Sequence, residues 1–145
     1  MVVIKNLYSK DDDIGLEELK VLINKITDSK KIKKRIYLYL IDNEEIKKLN
    51  KEFLKKNKYT NVLSFPSYEK TMLGEIFISV DYCKKESPTT GLSPLELIVF
   101  YFIHGLLHLT GYEHIKDEKE EKKMRKEELR LFKLVFPDMD LEDEA

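Results

Sequence analysis

The chain has 145 residues, of which 42% are hydrophobic and 37% charged, with a net charge of −1 and a single cysteine, Cys83. This length favours one domain, 1–145, that buries its own core. The composition excludes an intramolecular disulfide and a strongly cationic protein. The longest apolar run, 97–103, is too short to span a bilayer, and no segment has the pattern of a signal peptide. We therefore expect a cytoplasmic protein with no membrane partner.

The N-terminal part of the chain predicts strands and helices in alternation. The segment from Val2 to Leu7 has the composition of a short strand. Apolar residues at helical spacing between Leu16 and Ile26 predict an amphipathic helix. The segment 37–41 is aromatic and aliphatic throughout, which predicts a strand buried on both faces. Asp42 and Glu45 fit the capping box of a second helix, whose apolar side comprises Ile46, Leu49 and Phe53.

Two further strands and a long apolar helix follow. The segment 60–66 is typical of a strand that ends at proline, and 73–80 has the alternating, β-branched character of another strand. The sequence Ser93-Pro94-Leu95-Glu96 predicts a helix start, because serine caps, proline suits the first turn and glutamate completes the box. This helix is apolar on nearly all sides and should be central and buried, and Gly111 is a natural end for it.

The last helix and the charge distribution complete the pattern. The segment 117–135 predicts a helix with Met124, Leu131 and Val135 facing inward, followed by an acidic tail from about 138. The segment 30–58 has eleven basic and four acidic residues, a net of +7, whereas 113–145 has a net of −4. One face can therefore attract phosphate, although lysines that merely solvate a surface would give the same pattern.

All three histidines lie within eleven residues, in the sequence His104-Gly-Leu-Leu-His108-Leu-Thr-Gly-Tyr-Glu-His114. His104 and His108 are one helical turn apart on one face, close enough to share an ion. Gly111 lets the chain turn back and deliver His114 as a third ligand. Three imidazoles leave a fourth tetrahedral position for water and favour zinc, so we predict a catalytic site with one zinc ion per chain. The alternative is a chance cluster of core or surface histidines.

The residue after the first histidine narrows the reaction class. Metzincin proteases share this spacing, as His-Glu-x-x-His-x-x-Gly-x-x-His, and use the glutamate as general base. The chain has Gly105 at that position, which argues against their peptidase mechanism. A zinc-bound water of lowered pKa could still attack a phosphodiester or another activated bond. We therefore predict a metal-dependent hydrolase whose nucleophile is that water.

Several blocks together resemble the YbeY family of endoribonucleases. The histidine segment resembles the family signature, and Leu49-Asn50, the block 60–66 and Leu73-Gly74-Glu75-Ile76 resemble its other blocks in the same order. The resemblance implies a single compact α+β domain, in which a small mixed sheet of about four strands packs on a buried zinc-binding, zincin-like helix. It also implies a zinc-dependent endoribonuclease specific for single-stranded RNA, active in rRNA maturation and ribosome quality control. Its partners would be the ribosome or small-subunit assembly factors.

The chain departs from the family pattern at three positions. Glu113 stands where the family usually has aspartate before the last histidine, and it can still orient a ligand. Glu75 likewise replaces an aspartate. Leu54 stands where the family usually has an arginine that is thought to help cleavage. Lys55 and Lys56 can substitute as point charges, without the bidentate fork of arginine.

The candidate substrate-binding residues are Lys55, Lys56, Asn61, Ser64 and Glu75. Asn61 and Ser64 could instead merely complete a strand, and Glu75 could be a surface residue of an edge strand. Two other functions remain open. One is a zinc hydrolase of a peptide or small-molecule amide bond. The other is a non-catalytic ribosome-assembly protein with a structural metal, which Leu54 makes more plausible.

Overall fold

The computed structural model describes residues 1–10, 14–54, 61–112 and 117–139, and for Leu54 it describes the backbone alone. Lys55, Lys56, Glu113 and His114, four of the predicted site residues, lie outside the described residues, as does most of the acidic tail. The described elements form one compact α+β domain, as predicted. In chain order they are β1 (Val2–Asn6), α1 (Leu16–Ser29), β2 (Arg35–Ile41), α2 (Asn43–Leu54), β3 (Val62–Pro66), β4 (Met72–Ser79), α3 (Val80–Thr90), α4 (Pro94–Leu109) and α5 (Glu118–Val135).

The four described strands form a mixed sheet in the order β1-β2-β4-β3, which confirms the predicted sheet. The strands β1, β2 and β4 are parallel, and β3 runs antiparallel to β4. The helices α1 and α2 fall between parallel strands in the chain, whereas β3 and β4 form a hairpin. As a result, the carboxyl ends of three strands meet at one end of the sheet, and the β3–β4 turn lies at the other.

One face of the sheet is covered by helices. Its floor is formed by alternate residues of β2 and β4, all fully buried, namely Ile36, Leu38, Leu40, Ile76 and Ile78. The helix α4 packs on this floor and is flanked by α1, α3 and α5, so apolar residues are needed on nearly every side of it. The prediction of a central buried helix is thereby confirmed.

The opposite face is only partly covered. The helix α2 packs there through a small cluster of Ile41, Ile46 and Leu63. Tyr37 and Tyr39 point to this face and keep part of their surface exposed, so the prediction that this strand is buried on both faces is wrong. Phe53, expected on the apolar side of α2, is 57% exposed. The sequence pattern could not distinguish these faces, because sidedness depends on which helices pack where.

The helix α3 was not predicted, and the strand expected to reach Val80 ends one residue earlier. The helix lacks a strong apolar stripe and contains Pro88, so its local pattern resembles a loop. Its N-cap is Ser79, whose hydroxyl oxygen accepts a hydrogen bond from the backbone N–H of Tyr82 at 3.2 Å. Cys83 is buried on this helix, as expected.

The predicted inward positions of the last helix are confirmed, since Met124, Leu131 and Val135 are all buried on α5. No single helix among the described residues is long and apolar enough to cross a membrane. Only α3 and α4 taken together reach that length and composition, and they are bent by 112° at their junction.

Candidate metal centre

The helix α4 places His104 and His108 side by side near its C-terminal end. It begins as predicted, since Ser93 Oγ accepts from the Glu96 N–H at 3.1 Å and Glu96 Oε1 accepts from the Ser93 N–H at 2.7 Å. The two imidazole rings are 4.6 Å apart between centroids, with an interplanar angle of 78°. Their Nε2 atoms face each other at 3.1 Å. The spacing of four residues therefore brings two ring nitrogens to one point, as the sequence predicted.

The other nitrogen of each ring is held by a different element. His104 Nδ1 is 2.9 Å from Oε2 of Glu128 on α5, and His108 Nδ1 is 3.1 Å from the backbone oxygen of Tyr112. A carbonyl oxygen and a carboxylate oxygen accept hydrogen bonds, so Nδ1–H is the donor in both contacts. Each ring then directs its second nitrogen, Nε2, at the other ring. This is the arrangement that metal-binding histidines adopt.

The distance between the two Nε2 atoms tests whether a metal fits. Two facing lone pairs 3.1 Å apart repel each other unless a cation or an additional proton lies between them. Two imidazole nitrogens bound to one tetrahedral zinc at about 2.0–2.1 Å would be about 3.3 Å apart. The pair therefore fits a shared zinc-like ion. Within the described part of the chain there is no group of three potential ligands, and His114 lies outside it.

A charged cluster supports the residue that holds His108. Lys30, at the end of α1, has its Nζ 2.7 Å from Oε2 of Glu127 and 5.2 Å from the ring centroid of Tyr112. Glu127 also accepts hydrogen bonds from the Arg130 guanidinium. The hydrogen bonds from Arg130 and Lys30 lower the pKa of Glu127 to about 2, so the carboxylate stays charged. The cluster fixes the Tyr112 ring between α1 and α5, next to the carbonyl that orients His108.

Two glycines allow the sheet and the histidine helix to approach closely. A Cβ at Gly105 would lie 3.1 Å from Ile76 Cγ2, so this position faces the sheet and serves packing. A Cβ at Gly74 would lie 2.5 Å from the backbone oxygen of Phe65 and 2.8 Å from Cδ2 of Leu109. Gly74 therefore lets the end of α4, one residue beyond His108, rest on the β3–β4 hairpin.

The structure separates the predicted substrate-binding residues. Ser64 pairs with Ile76 and so lies on the sheet face that carries α4. The Asn61 side chain forms a hydrogen bond with the hydroxyl of Tyr101, three residues before His104. Burial raises the pKa of this hydroxyl. Glu75 lies on the opposite face, since Gly74 and Ile76 on either side of it face α4. Ser64 and Asn61 are thus on the histidine side of the sheet, and Glu75 is not.

The sequence predicted that Glu128 lies in the last helix, but not what it does there. The signal was available, because Glu128 falls on the inward stripe of α5 between Met124 and Leu131 and is only 6% exposed. A carboxylate on a buried stripe needs a partner. Here that partner is the Nδ1–H of His104.

The chain is similar to known proteins both in sequence and in structure. The family model described as Endoribonuclease YbeY matches residues 4–135. A protein named Endoribonuclease YbeY from Nautilia profundicola is 42% identical over 129 residues, which cover 88% of each chain. Its namesake from Sulfurihydrogenibium sp. is 36% identical over 130 residues, covering 86% of this chain and 84% of the relative. The solution structure of TM1509 from Thermotoga maritima matches with a TM-score of 0.71 and 27% identity, covering 95% of this chain and 91% of that one.

Proposed function

The chain belongs to the YbeY family of endoribonucleases, and from that premise we propose that it is a zinc-dependent endoribonuclease that cleaves single-stranded RNA. We further propose that it acts in the cytoplasm on rRNA, in maturation and ribosome quality control, with the ribosome or small-subunit assembly factors as partners. The observation that carries the metal proposal is the pair of Nε2 atoms that face each other at 3.1 Å with both Nδ1 atoms held.

In this proposal His104, His108 and His114 hold one zinc ion, and the fold would be of the zincin-like kind. Zinc, when bound, would supply Lewis acidity and a coordinated water whose pKa is about 7. The protein's own groups prepare the ligands. Glu128 and the Tyr112 carbonyl keep the proton on each Nδ1, so the Nε2 lone pairs stay directed at one point. Glu113, next to His114 in sequence, would orient that third ligand.

RNA binding would draw on the basic part of the chain. Lys55 and Lys56 would contact phosphate oxygens, and Asn61 and Ser64 would lie along the path on the side of the sheet that carries α4. Phosphate contacts of this kind make binding weaken as salt rises. Glu75 was also a candidate for substrate contact, but its place on the opposite face makes a direct role next to the histidines less favourable.

Two alternatives differ in what they require. A peptidase of the metzincin type would need a general base at position 105, where a Cβ alone would lie 3.1 Å from Ile76 Cγ2. This contact, together with the missing glutamate, argues against that alternative. A non-catalytic ribosome-assembly protein with a structural metal is favoured by Leu54, because leucine cannot stabilise the charge that develops on a phosphoryl group.

The test combines metal analysis with cleavage assays on one preparation. We expect about one zinc per chain, and RNA but not peptide cleavage. Alanine at His104 or His108 should remove most of the zinc and the RNA cleavage, whereas Tyr82→Phe on α3 serves as a matched control that changes neither. Folded histidine variants that keep full zinc would overturn the ligand assignment. A zinc-loaded protein that binds rRNA and never cleaves it would support the assembly role.

A further inference from the structure

The face of the sheet that α2 only partly covers has a continuous line of aromatic side chains. We call Tyr37, Tyr39, Phe77, Phe65 and Phe53 the aromatic row. Successive ring centroids along it are 6.5, 4.5, 5.8 and 5.5 Å apart. The row crosses from β2 through β4 to β3 and ends on α2. It lies on the face opposite to α4, where helix α2 covers only part of the sheet.

Cross-strand packing alone accounts for part of the row. Tyr39 and Phe77 are directly paired in register and stack nearly parallel, with an interplanar angle of 8°. Such pairs stabilise sheets. The ends of the row, however, open to solvent, since Tyr37 is only half-buried and Phe53 is 57% exposed. A further aromatic, Tyr68 in the β3–β4 turn, is fully exposed. Exposed aromatics grouped on one face are typical of an interaction surface.

The polar neighbours of the row hold its rings in place and add positive charge. The Tyr39 hydroxyl forms a hydrogen bond with Glu75, and burial together with this bond raises the Tyr39 pKa. The Arg35 guanidinium is 3.5 Å from the Tyr37 hydroxyl oxygen. Lys5 pairs in register with Tyr39 and is exposed. The one carboxylate of this group is thus engaged, while two cations flank the tyrosines.

The position of the Tyr37 end of the row can be compared with that of the histidines. Glu75 lies beside Tyr37 in the sheet, and its neighbour Gly74 contacts Leu109, which follows His108. The Tyr37 end of the row and the candidate metal centre therefore lie at the same end of the sheet, on opposite faces.

We infer that the aromatic row is a platform for single-stranded RNA, on which a base stacks against Tyr37, the ring at the end of the row, while Lys5 and Arg35 bind the flanking phosphates. The inference rests on the proposed function for its choice of ligand. Aromatic rings accept any base, and basic side chains follow the backbone, so the platform favours unpaired RNA without a fixed sequence. Rings already fixed by stacking and hydrogen bonds lose little freedom on binding.

The chain contains no tryptophan, which gives a direct probe. In the Tyr37→Trp variant the new indole is the only one, and a base that stacks on it should quench its fluorescence. A short 2′-O-methyl oligouridylate is the ligand, because it is single-stranded, and the fluorescence is read immediately on mixing, before hydrolysis by a metal-bound water can shorten it. The matched control is Tyr82→Trp on α3, beyond the other end of β4, whose fluorescence should not change.

Affinity measurements on two further variants separate stacking from simple hydrophobic packing. Tyr37→Leu should weaken binding of the same oligomer by about 5-fold or more, since each stacked base contributes about 1–3 kcal/mol. Tyr37→Phe should bind as the natural protein does, because it keeps the ring. Melting curves establish that each variant is folded, and the fluorescence experiment remains decisive where one of them is not.

The outcomes distinguish the platform from the proposed function. Oligomer binding with unchanged fluorescence in the Tyr37→Trp variant would overturn the platform, and cleavage of unmodified RNA by the same protein would leave the proposed function standing. Quenching without cleavage would support the platform and count against the endoribonuclease proposal. Quenching on raising protein concentration alone would identify a second copy of the chain as the occupant and would also overturn the platform.

Discussion

Outside the ligands themselves, Glu128 is the residue on which we expect zinc affinity to depend most. Its Oε2 lies 2.9 Å from His104 Nδ1, and at 6% exposure water has little access to replace it. A bound cation withdraws electrons from the ring and makes Nδ1–H a stronger donor, so the carboxylate stabilises the loaded state more than the empty one. Glu128→Gln keeps the size and removes the charge. Losing such a partner costs about 10- to 100-fold in affinity, or about 1.4–2.7 kcal/mol.

Competition with a chromophoric zinc chelator measures this loss, and melting curves with and without zinc give an independent value. Because a ligand stabilises the folded state by mass action, zinc should raise the melting temperature of Glu128→Gln less than that of the natural protein. Glu121→Gln, an exposed change of the same charge on the same helix, is the control and should match the natural protein. A folded Glu128→Gln protein with unchanged zinc affinity would refute the idea that this carboxylate prepares His104.

Three other substitutions test separate parts of the argument. Gly74→Ala should destabilise the fold by about 1–3 kcal/mol in urea unfolding, because the new Cβ would lie 2.5 Å from a backbone oxygen of β3; unchanged stability would mean that the hairpin yields freely. Leu54→Arg should raise RNA turnover with zinc content unchanged, and an unaltered rate in a folded, loaded protein would count against a missing cation. Glu127 has a pKa lowered to about 2 from 4.5, so its stabilisation is present above pH 4.5 and is lost as pH falls toward 2. Melting curves of Glu127→Gln recorded at acidic pH should lack this loss of stability. If both proteins lose stability in parallel as the pH falls, a group other than Glu127 is responsible.

Local patterns predicted most of the fold because they are short-range and strong. The capping box at Ser93 and the apolar helix after it were both confirmed, as was the inward stripe of α5. The helix α3 escaped prediction because it has little amphipathic pattern and is interrupted by Pro88, so its helical state depends on packing against α4. The partial exposure of the sheet face at Tyr37 was also not predicted, for a related reason. Aromatic and aliphatic residues in a strand look alike whether or not a helix covers them.

The candidate site, like the fold, has one part that the sequence predicts and another part that it does not. The spacing of His104 and His108 fixes their meeting on one helical face, so sequence alone could place them together. The support of Tyr112 by Lys30 joins residues far apart in the chain, which no local pattern encodes. His108 Nδ1–H donates its hydrogen bond to the backbone oxygen of Tyr112, and because every residue has such an oxygen, no side chain in the sequence indicates this contact. Among these supporting groups, only Glu128 could be recognised from the sequence, because it is a carboxylate on an otherwise apolar helix stripe.

The anchoring of the histidine pair bears on whether a metal would serve catalysis or folding. The helix α4 is held by the sheet below it and by α1, α3 and α5 around it, largely through apolar contacts. Glu128 and Tyr112 fix the ring orientations from two further segments. The pair is therefore preorganised by the core, and an ion would add little to the folding of α4. In a site where the metal organises the fold, the ligands would instead lie on segments with few other contacts. This arrangement favours the catalytic interpretation over the structural one.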